Sequence, residues 1–269
     1  MMPGNGLRRV FFLVVLVLVG LSARSAYASL VFSGIATGKG AGIGGANVVL
    51  TIQNSPTEQG CVGWNGTVDV IGAAACQGGL TPPVVGGDEK TGNSQTQTRT
   101  VGSAGVLSGS SLVVVLNVSQ PAGGPFTAEN ISLTIYSPTG TVLFNSGNLI
   151  GAGTPPGGGI TIDSSFQGQG NLGFAFILTD AQAAAAAPFI CTSALVPGCA
   201  GIANINNFNN RFGLTSLLTN TSGGNETFSI ADTTNVAITG PEPLTLLTMA
   251  GGLAFLGILR RFRSLPGKH

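Results

Sequence analysis

Short apolar runs, separated by glycine-rich and polar segments, recur through the middle of this chain and predict β-strands. Residues 111–118 read Ser-Leu-Val-Val-Val-Leu-Asn-Val, and an unbroken apolar run indicates a strand that is buried on both faces. Residues 131–136 alternate apolar and polar side chains, which predicts a strand with one buried face. Weaker runs of the same kind predict strands at residues 48–52, 67–71, 141–145, 159–162, 173–178, 227–231 and 235–238.

Turn and capping residues predict one hairpin and one helix. Residues 137–140 (Ser-Pro-Thr-Gly) place proline at the second position of a turn, so the alternating run before them should pair with the run after them. Thr179 and Gln182 have the spacing of a capping box, and the alanine-rich helix that they start is expected to end at Pro188. A second short helix is predicted over residues 210–218.

Many short strands with turns between them dominate the pattern, and helical periodicity is scarce. No segment repeats at a fixed spacing, which argues against a solenoid or a propeller. We therefore expect a mainly β fold, an antiparallel β-sandwich or jelly-roll-like domain with one or two short helices. A C-terminal transmembrane helix is expected in addition to this domain.

The first 28 residues have the three parts of a secretory signal peptide. Arg8 and Arg9 supply the positive region, residues 10–21 form the apolar region, and Ala26 and Ala28 are the small residues that signal peptidase requires. An uncleaved anchor is the alternative interpretation. The apolar region is shorter than the roughly 20 residues that span a membrane, so we expect cleavage after Ala28.

A second apolar segment lies near the C-terminus. Residues 244–259 contain no charged side chain, and Arg260, Arg261 and Arg263 follow at once. A helix of this length rises about 24 Å, and local thinning accommodates the difference from a bilayer core of about 30 Å. The positive-inside rule keeps the arginines cytoplasmic, so the preceding domain lies on the other side. A buried core helix is the alternative, but such helices are rarely apolar on every face.

The tripeptide Pro241-Glu242-Pro243 stands directly before this apolar segment. Tripeptide, apolar helix and arginine cluster, in this order over residues 241–263, resemble the PEP-CTERM sorting signal of Gram-negative bacteria. The resemblance implies recognition by an exosortase, a membrane-embedded cysteine protease or transpeptidase, with cleavage near the tripeptide. It also implies release or attachment at the surface of a bacterium that makes exopolysaccharide. Residues 264–269 extend past the arginines as a short cytoplasmic tail, which departs slightly from the family pattern.

The two terminal signals leave residues 29–240 as the exported, β-rich segment, which is long enough for one sizeable domain or two small ones. It carries four basic and nine acidic side chains, a net charge of −5, although the whole chain has a formal charge of +1. Because no basic patch remains, nucleic acids and anionic lipid surfaces are poor candidates as partners. Solubility must then depend on Asn, Ser, Thr and Gln.

The four cysteines of the chain predict two disulfides, because an even number in an exported protein is typical of a disulfide framework. Three connectivities are possible for Cys61, Cys76, Cys191 and Cys199. Proximity in sequence favours Cys61–Cys76 and Cys191–Cys199. A four-cysteine zinc site is the alternative, but such sites use more closely spaced pairs.

The residue types of the exported segment restrict its chemistry. The single histidine, His269, lies beyond the apolar segment, which excludes Ser-His-Asp and Cys-His catalysis and histidine-ligated metals from the exported domain. Two acidic side chains would be enough for a glycosidase, but the sequence places no two of them together. Asp88 and Glu89 stand in a glycine- and proline-rich loop and are expected to form a solvated turn. We therefore expect no catalytic residue, no cofactor and no metal.

Trp64, the single tryptophan, allows two interpretations. Beside Asn65 and Gly66 it could stack on a sugar ring, and near Cys61 it could pack against a disulfide, which is the favoured interpretation. The sequence predicts a non-enzymatic protein that is anchored in the inner membrane before processing. It then reaches the cell surface, outer envelope or extracellular matrix, in association with exopolysaccharide. A secreted carbohydrate-binding module is the alternative, and a carboxylate-pair glycoside hydrolase is less favoured.

Overall fold

A computed structural model describes residues 29–38, 47–92, 95–119, 124–149, 159–162, 172–202 and 205–239. The predicted signal-peptide residues Ala26 and Ala28 lie outside these ranges. The predicted sorting tail also lies outside them, with Pro241, Glu242, Pro243, Arg260, Arg261 and Arg263. Within the described ranges, no helix is both long enough and apolar enough to cross a membrane.

The described residues form thirteen β-strands and two short α-helices. In chain order the strands are β1 (Leu30–Gly38), β2 (Asn47–Ile52), β3 (Thr57–Trp64), β4 (Asp69–Ile71), β5 (Arg99–Thr100), β6 (Leu112–Asn117), β7 (Phe126–Tyr136), β8 (Val142–Asn145), β9 (Ile160–Ile162), β10 (Leu172–Leu178), β11 (Arg211–Thr219), β12 (Glu226–Asp232) and β13 (Val236–Thr239). The helices are α1 (Val101–Ala104) and α2 (Asp180–Ile190).

The strands form two antiparallel sheets that enclose one apolar core in a sandwich-like arrangement. The six-stranded sheet has the order β13-β1-β10-β6-β12-β2. The seven-stranded sheet has the order β4-β3-β11-β7-β8, with β5 added to β11 and β9 added to β7. Leu116, Phe176 and Phe228 of the first sheet share a fully buried cluster with Leu133 and Phe212 of the second. Burial of each such side chain stabilises the fold by about 1.5–3 kcal/mol. The predicted mainly β fold with antiparallel sheets is confirmed.

The long strand β7 contains a register shift that keeps its apolar side chains on the core face. Phe126 and Ala128 lie in the core before the shift, and Ile131 and Leu133 lie there after it. Because side chains alternate along a strand, one extra residue is needed to move the buried positions from even to odd numbers. Asn130 therefore faces outward, where its side-chain amide donates to neighbouring loop carbonyls.

The predicted hairpin is confirmed between β7 and β8. The backbone N–H of Gly140 donates to the carbonyl of Ser137 at 3.0 Å and closes the turn. Gly140 has a φ of 87°, a conformation that favours glycine. A Cβ at this position would also lie 2.6 Å from the backbone oxygen of Asn65, so this turn and the β3–β4 turn contact each other.

Residues 210–218 do not form the predicted second helix. Residues 211–219 are strand β11, which pairs with β3 on one side and with β7 on the other. Phe212, Leu214 and Leu218 face the core, whereas Leu217 packs on the outer face of the sheet. Burial on both faces obscures the alternation in the sequence, so the prediction of a helix was wrong.

Helix α2 continues past Pro188, where the sequence predicted its end. Pro188 lies on the exposed face, so its missing N–H leaves no buried carbonyl unsatisfied. The side-chain amide of Asn207 donates to the carbonyls of Pro188 and Cys191, both at 2.9 Å. That of Asn210 donates to Phe189 at 2.9 Å. These contacts satisfy the last carbonyls of the helix, which a sequence pattern does not reveal.

Candidate functional site

Both predicted disulfides are present in the structure. Cys61 of β3 is bonded to Cys76, and Cys191 after α2 is bonded to Cys199. Their sequence separations are 15 and 8 residues, so each closes a short loop. Disulfides of this kind are typical of proteins that fold in an oxidising, extracytoplasmic compartment.

The Cys61–Cys76 disulfide attaches a long loop to the outer face of the seven-stranded sheet. Leu80 and Val84 of this loop are buried against Cys61 and Leu217 in a second apolar cluster. The loop thus covers the apolar outer side of β3 and β11. This surface is closed by the chain itself and has a structural role.

Asp88 and Glu89 do not form the solvated turn that the sequence predicted. One carboxylate oxygen of Asp88 accepts a hydrogen bond from the backbone N–H of Gln59 at 2.9 Å. The carboxylate of Glu89 accepts from Cys61 at 2.7 Å and from Gly87 at 2.9 Å. Because both carboxylates accept hydrogen bonds from backbone N–H groups of β3 or of their own loop, they fix the loop in place.

Trp64 lies at the end of β3 in a cluster of polar side chains. The guanidinium carbon of Arg211 is 3.9 Å from the centroid of the indole ring, and the indole N–H donates to the carbonyl of Pro138 at 2.9 Å. Arg211 also donates to the hydroxyl of Thr98 at 2.8 Å and lies 3.9 Å from the carboxylate of Asp69. We call Trp64, Asp69, Thr98 and Arg211 the Trp64 cluster.

Trp64 does not pack against a disulfide, which was the interpretation that the sequence favoured. The indole belongs to the polar cluster and not to the apolar cluster around the Cys61–Cys76 disulfide. One ring face holds a guanidinium, and the residue is only partly buried. Close to it, Val68 in the contacting turn is 56% exposed. The cluster is therefore an aromatic and polar surface feature whose first role is to join β3, β4 and β11.

A pair of glutamates from opposite sheets meets in the interior, and sequence reasoning did not find it. Glu58 lies on the inward face of β3 with Val62, because side chains alternate along the strand. Glu226 lies on the inward face of β12 with Phe228 in the same way. Both residues are 0% exposed. A polysaccharide cannot reach this pair, so it does not form the catalytic pair of a glycosidase.

The environment of Glu58 is unfavourable for a charged carboxylate. Burial, and then the adjacent carboxyl of Glu226, raise the pKa of Glu58 from 4.5 to about 10. Hydrogen bonding from the backbone of Asn54 and from the side chain of Thr221 acts in the opposite direction and lowers this pKa. Neither carboxyl oxygen of Glu58, however, makes a hydrogen bond of ordinary geometry.

Asp232, at the end of β12, is a buried carboxylate that, unlike Glu58, is surrounded by hydrogen-bond donors. It accepts hydrogen bonds from the backbone N–H groups of Leu107 at 3.1 Å and Thr234 at 2.9 Å, and from the hydroxyls of Ser111 and Thr234. Burial alone would raise the pKa of Asp232, but these donors outweigh burial and hold the pKa below its ordinary value. Asp232 therefore stabilises the segment before β6 as an anion.

Neither side-chain clusters nor known proteins assign an activity to this chain. Among the residues that the structure describes, no three His, Cys, Asp or Glu side chains form a group that could hold a metal ion. No protein-family model, curated protein or solved structure matches the chain. Its function must therefore be inferred from its own residues.

Proposed function

We propose that this chain is an exported, non-enzymatic protein of the cell surface or extracellular matrix. An exosortase sorts it through the tail at residues 241–263, and the exported domain then associates with exopolysaccharide. The domain that is delivered is a sandwich of jelly-roll type. Signal peptidase and the exosortase are its processing partners, and the inner membrane holds it only transiently.

The observation that carries this proposal is the order of three features in the tail. Pro241 and Pro243 flank Glu242, a sequence that favours an extended backbone, and an uncharged segment and three arginines follow. The two disulfides support export, because disulfides are typical of proteins in oxidising compartments. The absence of histidine from residues 29–240 supports a non-enzymatic role, since it removes the commonest general base.

The C-terminus of the mature protein tests this proposal. The protein is recovered from the surface of its native host, and its last residue is identified by mass spectrometry. We expect an end within or next to residues 241–243. A chain that still ends at His269 would be a tail-anchored periplasmic protein, and the proposal would be wrong.

Carbohydrate binding at the Trp64 cluster is a second candidate function. It is favoured by a partly exposed indole beside the side chains of Asp69 and Arg211, since sugar sites combine an aromatic surface with polar groups. The test is binding of the exported protein to a glycan array. Loss of binding in Trp64→Ala, with binding retained in Trp64→Phe and Val68→Ala, would support it. Flat binding curves for the unmodified protein would exclude it.

A further inference from the structure

The carboxyl pair of Glu58 and Glu226 connects the two sheets across the interior. Glu58 belongs to the seven-stranded sheet through β3, and Glu226 belongs to the six-stranded sheet through β12. The sheets approach closely here, because a Cβ at Gly60 would lie 3.2 Å from the side chain of Leu50. Two ionised carboxylates buried side by side would repel each other, so the pair needs either a shared proton or a positive charge between its members.

Hydrogen bonds to Glu58 do not offset this repulsion. Both of its carboxyl oxygens are buried, and neither has a hydrogen-bond partner at ordinary distance and angle. An ionised carboxylate offers about four acceptor positions, and a buried polar group without a partner is costly. By contrast, the buried carboxylate of Asp232 receives hydrogen bonds from backbone and side-chain donors. Glu58 therefore presents oxygen atoms that are available to a cation.

The groups next to the pair are also oxygen ligands. The hydroxyl of Thr221 lies beside Glu58 and is 3.5 Å from the carbonyl oxygen of Asn54, so two oxygen atoms stand near the pair. Ca²⁺ prefers carboxylate, carbonyl and hydroxyl oxygens in a flexible arrangement, whereas zinc and copper favour nitrogen and sulfur. Mg²⁺ retains several water molecules, which a closed interior does not accommodate.

We propose that Glu58 and Glu226 bind one calcium ion, with oxygen atoms of Asn54 and Thr221 as further ligands. The two carboxylates balance the charge of the ion, so the interior holds no net charge. Bound calcium links β3 to β12 and thereby fastens the two sheets together, at the end of β3 away from Trp64. The site does not involve residues 241–263, so this proposal and the sorting proposal fail independently.

Calcium-dependent unfolding of the exported protein tests the site. The protein is treated with EGTA and then heated in EGTA, in CaCl₂ or in MgCl₂ at the same ionic strength. At a calcium concentration roughly 100-fold above Kd, we expect Tm to rise by about 5–10 °C. We also expect elemental analysis to find one calcium ion per chain. Equal Tm values in CaCl₂ and EGTA, without bound calcium, would overturn the proposal and indicate that the two glutamates share a proton. An equal rise with MgCl₂ would overturn the assignment to calcium.

Glutamine variants locate the bound ion. Glu58→Gln and Glu226→Gln are each expected to lose the calcium-dependent rise in Tm. Glu129→Gln is the matched control, because Glu129 accepts a hydrogen bond from Thr219 at 2.8 Å outside the pair and should keep the full rise. A rise that persists in both variants would place calcium elsewhere. If neither variant folds, the comparison of CaCl₂ with EGTA on the unmodified protein decides.

Discussion

The guanidinium of Arg211 lies against the indole of Trp64, with 3.9 Å between the guanidinium carbon and the ring centroid. Arg211 begins the central strand β11, and Trp64 ends its neighbour β3. The same guanidinium also contacts Thr98, which accepts one of its hydrogen bonds, and Asp69. One side chain therefore connects β3, β4 and the segment before β5. Such a combination of stacking and hydrogen bonding suits arginine and does not suit lysine.

Replacing this arginine should weaken the end of the seven-stranded sheet. We expect Arg211→Ala to lower the free energy of unfolding by about 1–2 kcal/mol, because the cation–π contact is partly desolvated. Urea unfolding followed by circular dichroism measures the loss. Trp64→Leu, alone and combined with Arg211→Ala, completes a double-mutant cycle, because leucine has no aromatic face. A coupling energy of zero would show that the stacked geometry contributes nothing to stability.

Local patterns predicted the alternating strand β7 and the continuous apolar run of β6, but they failed at β11, where polar side chains are buried among apolar ones. The alternation in residues 131–136 and the Ser-Pro-Thr-Gly turn led to the correct hairpin. The helix predicted over residues 210–218 was wrong, because Leu217 and Leu218 are buried on opposite faces of strand β11. A distant loop covers Leu217, and the other sheet covers Leu218. The covering elements lie far away in sequence, so no local period reports them.

The candidate sites could not be predicted from the sequence, because they depend on contacts between residues that are far apart in the chain. Glu58 and Glu226 meet only because β3 and β12 face each other from opposite sheets, so neither position was singled out. The disulfides were predictable because each joins cysteines that are close in sequence. The contact between Trp64 and Arg211 was not predictable, because it depends on the pairing of β3 with β11.

The buried anion Asp232 should make the protein sensitive to acid. Its folded-state pKa is below the ordinary value, so its stabilising effect is present above about pH 4 and is lost as the pH falls through the folded-state pKa. Asp232→Asn should cost about 1.5–3 kcal/mol at pH 7, because hydrogen bonds to a charged acceptor are lost. In urea unfolding from pH 7 to pH 3, the difference from the unmodified protein should shrink. A constant difference would contradict the role of Asp232 as an anion.

The two disulfides should differ in their contributions to stability. Loop closure predicts about 3 kcal/mol for Cys61–Cys76 and about 2.5 kcal/mol for Cys191–Cys199. The first also holds Leu80 and Val84 over the apolar face of the sheet, so the paired change Cys61→Ser with Cys76→Ser should cost more than the estimate from loop closure alone. Chemical denaturation of the two serine pairs gives the comparison. Equal losses would show that the loop keeps its packing without the disulfide.

Glu242 should control the last step of maturation without affecting export. In the proposed sorting route the N-terminal segment directs translocation, whereas Glu242 stands between two prolines just before the apolar segment. We expect Glu242→Ala to cross the inner membrane and form both disulfides, but to accumulate there as a chain that still ends at His269. Cell fractionation with mass spectrometry of the C-terminus measures this outcome. Ser264→Ala, beyond the arginine cluster, is the control and should be processed normally. Normal processing of Glu242→Ala would show that the tripeptide is not part of the recognition signal. Sorting by an exosortase would then lose its main support.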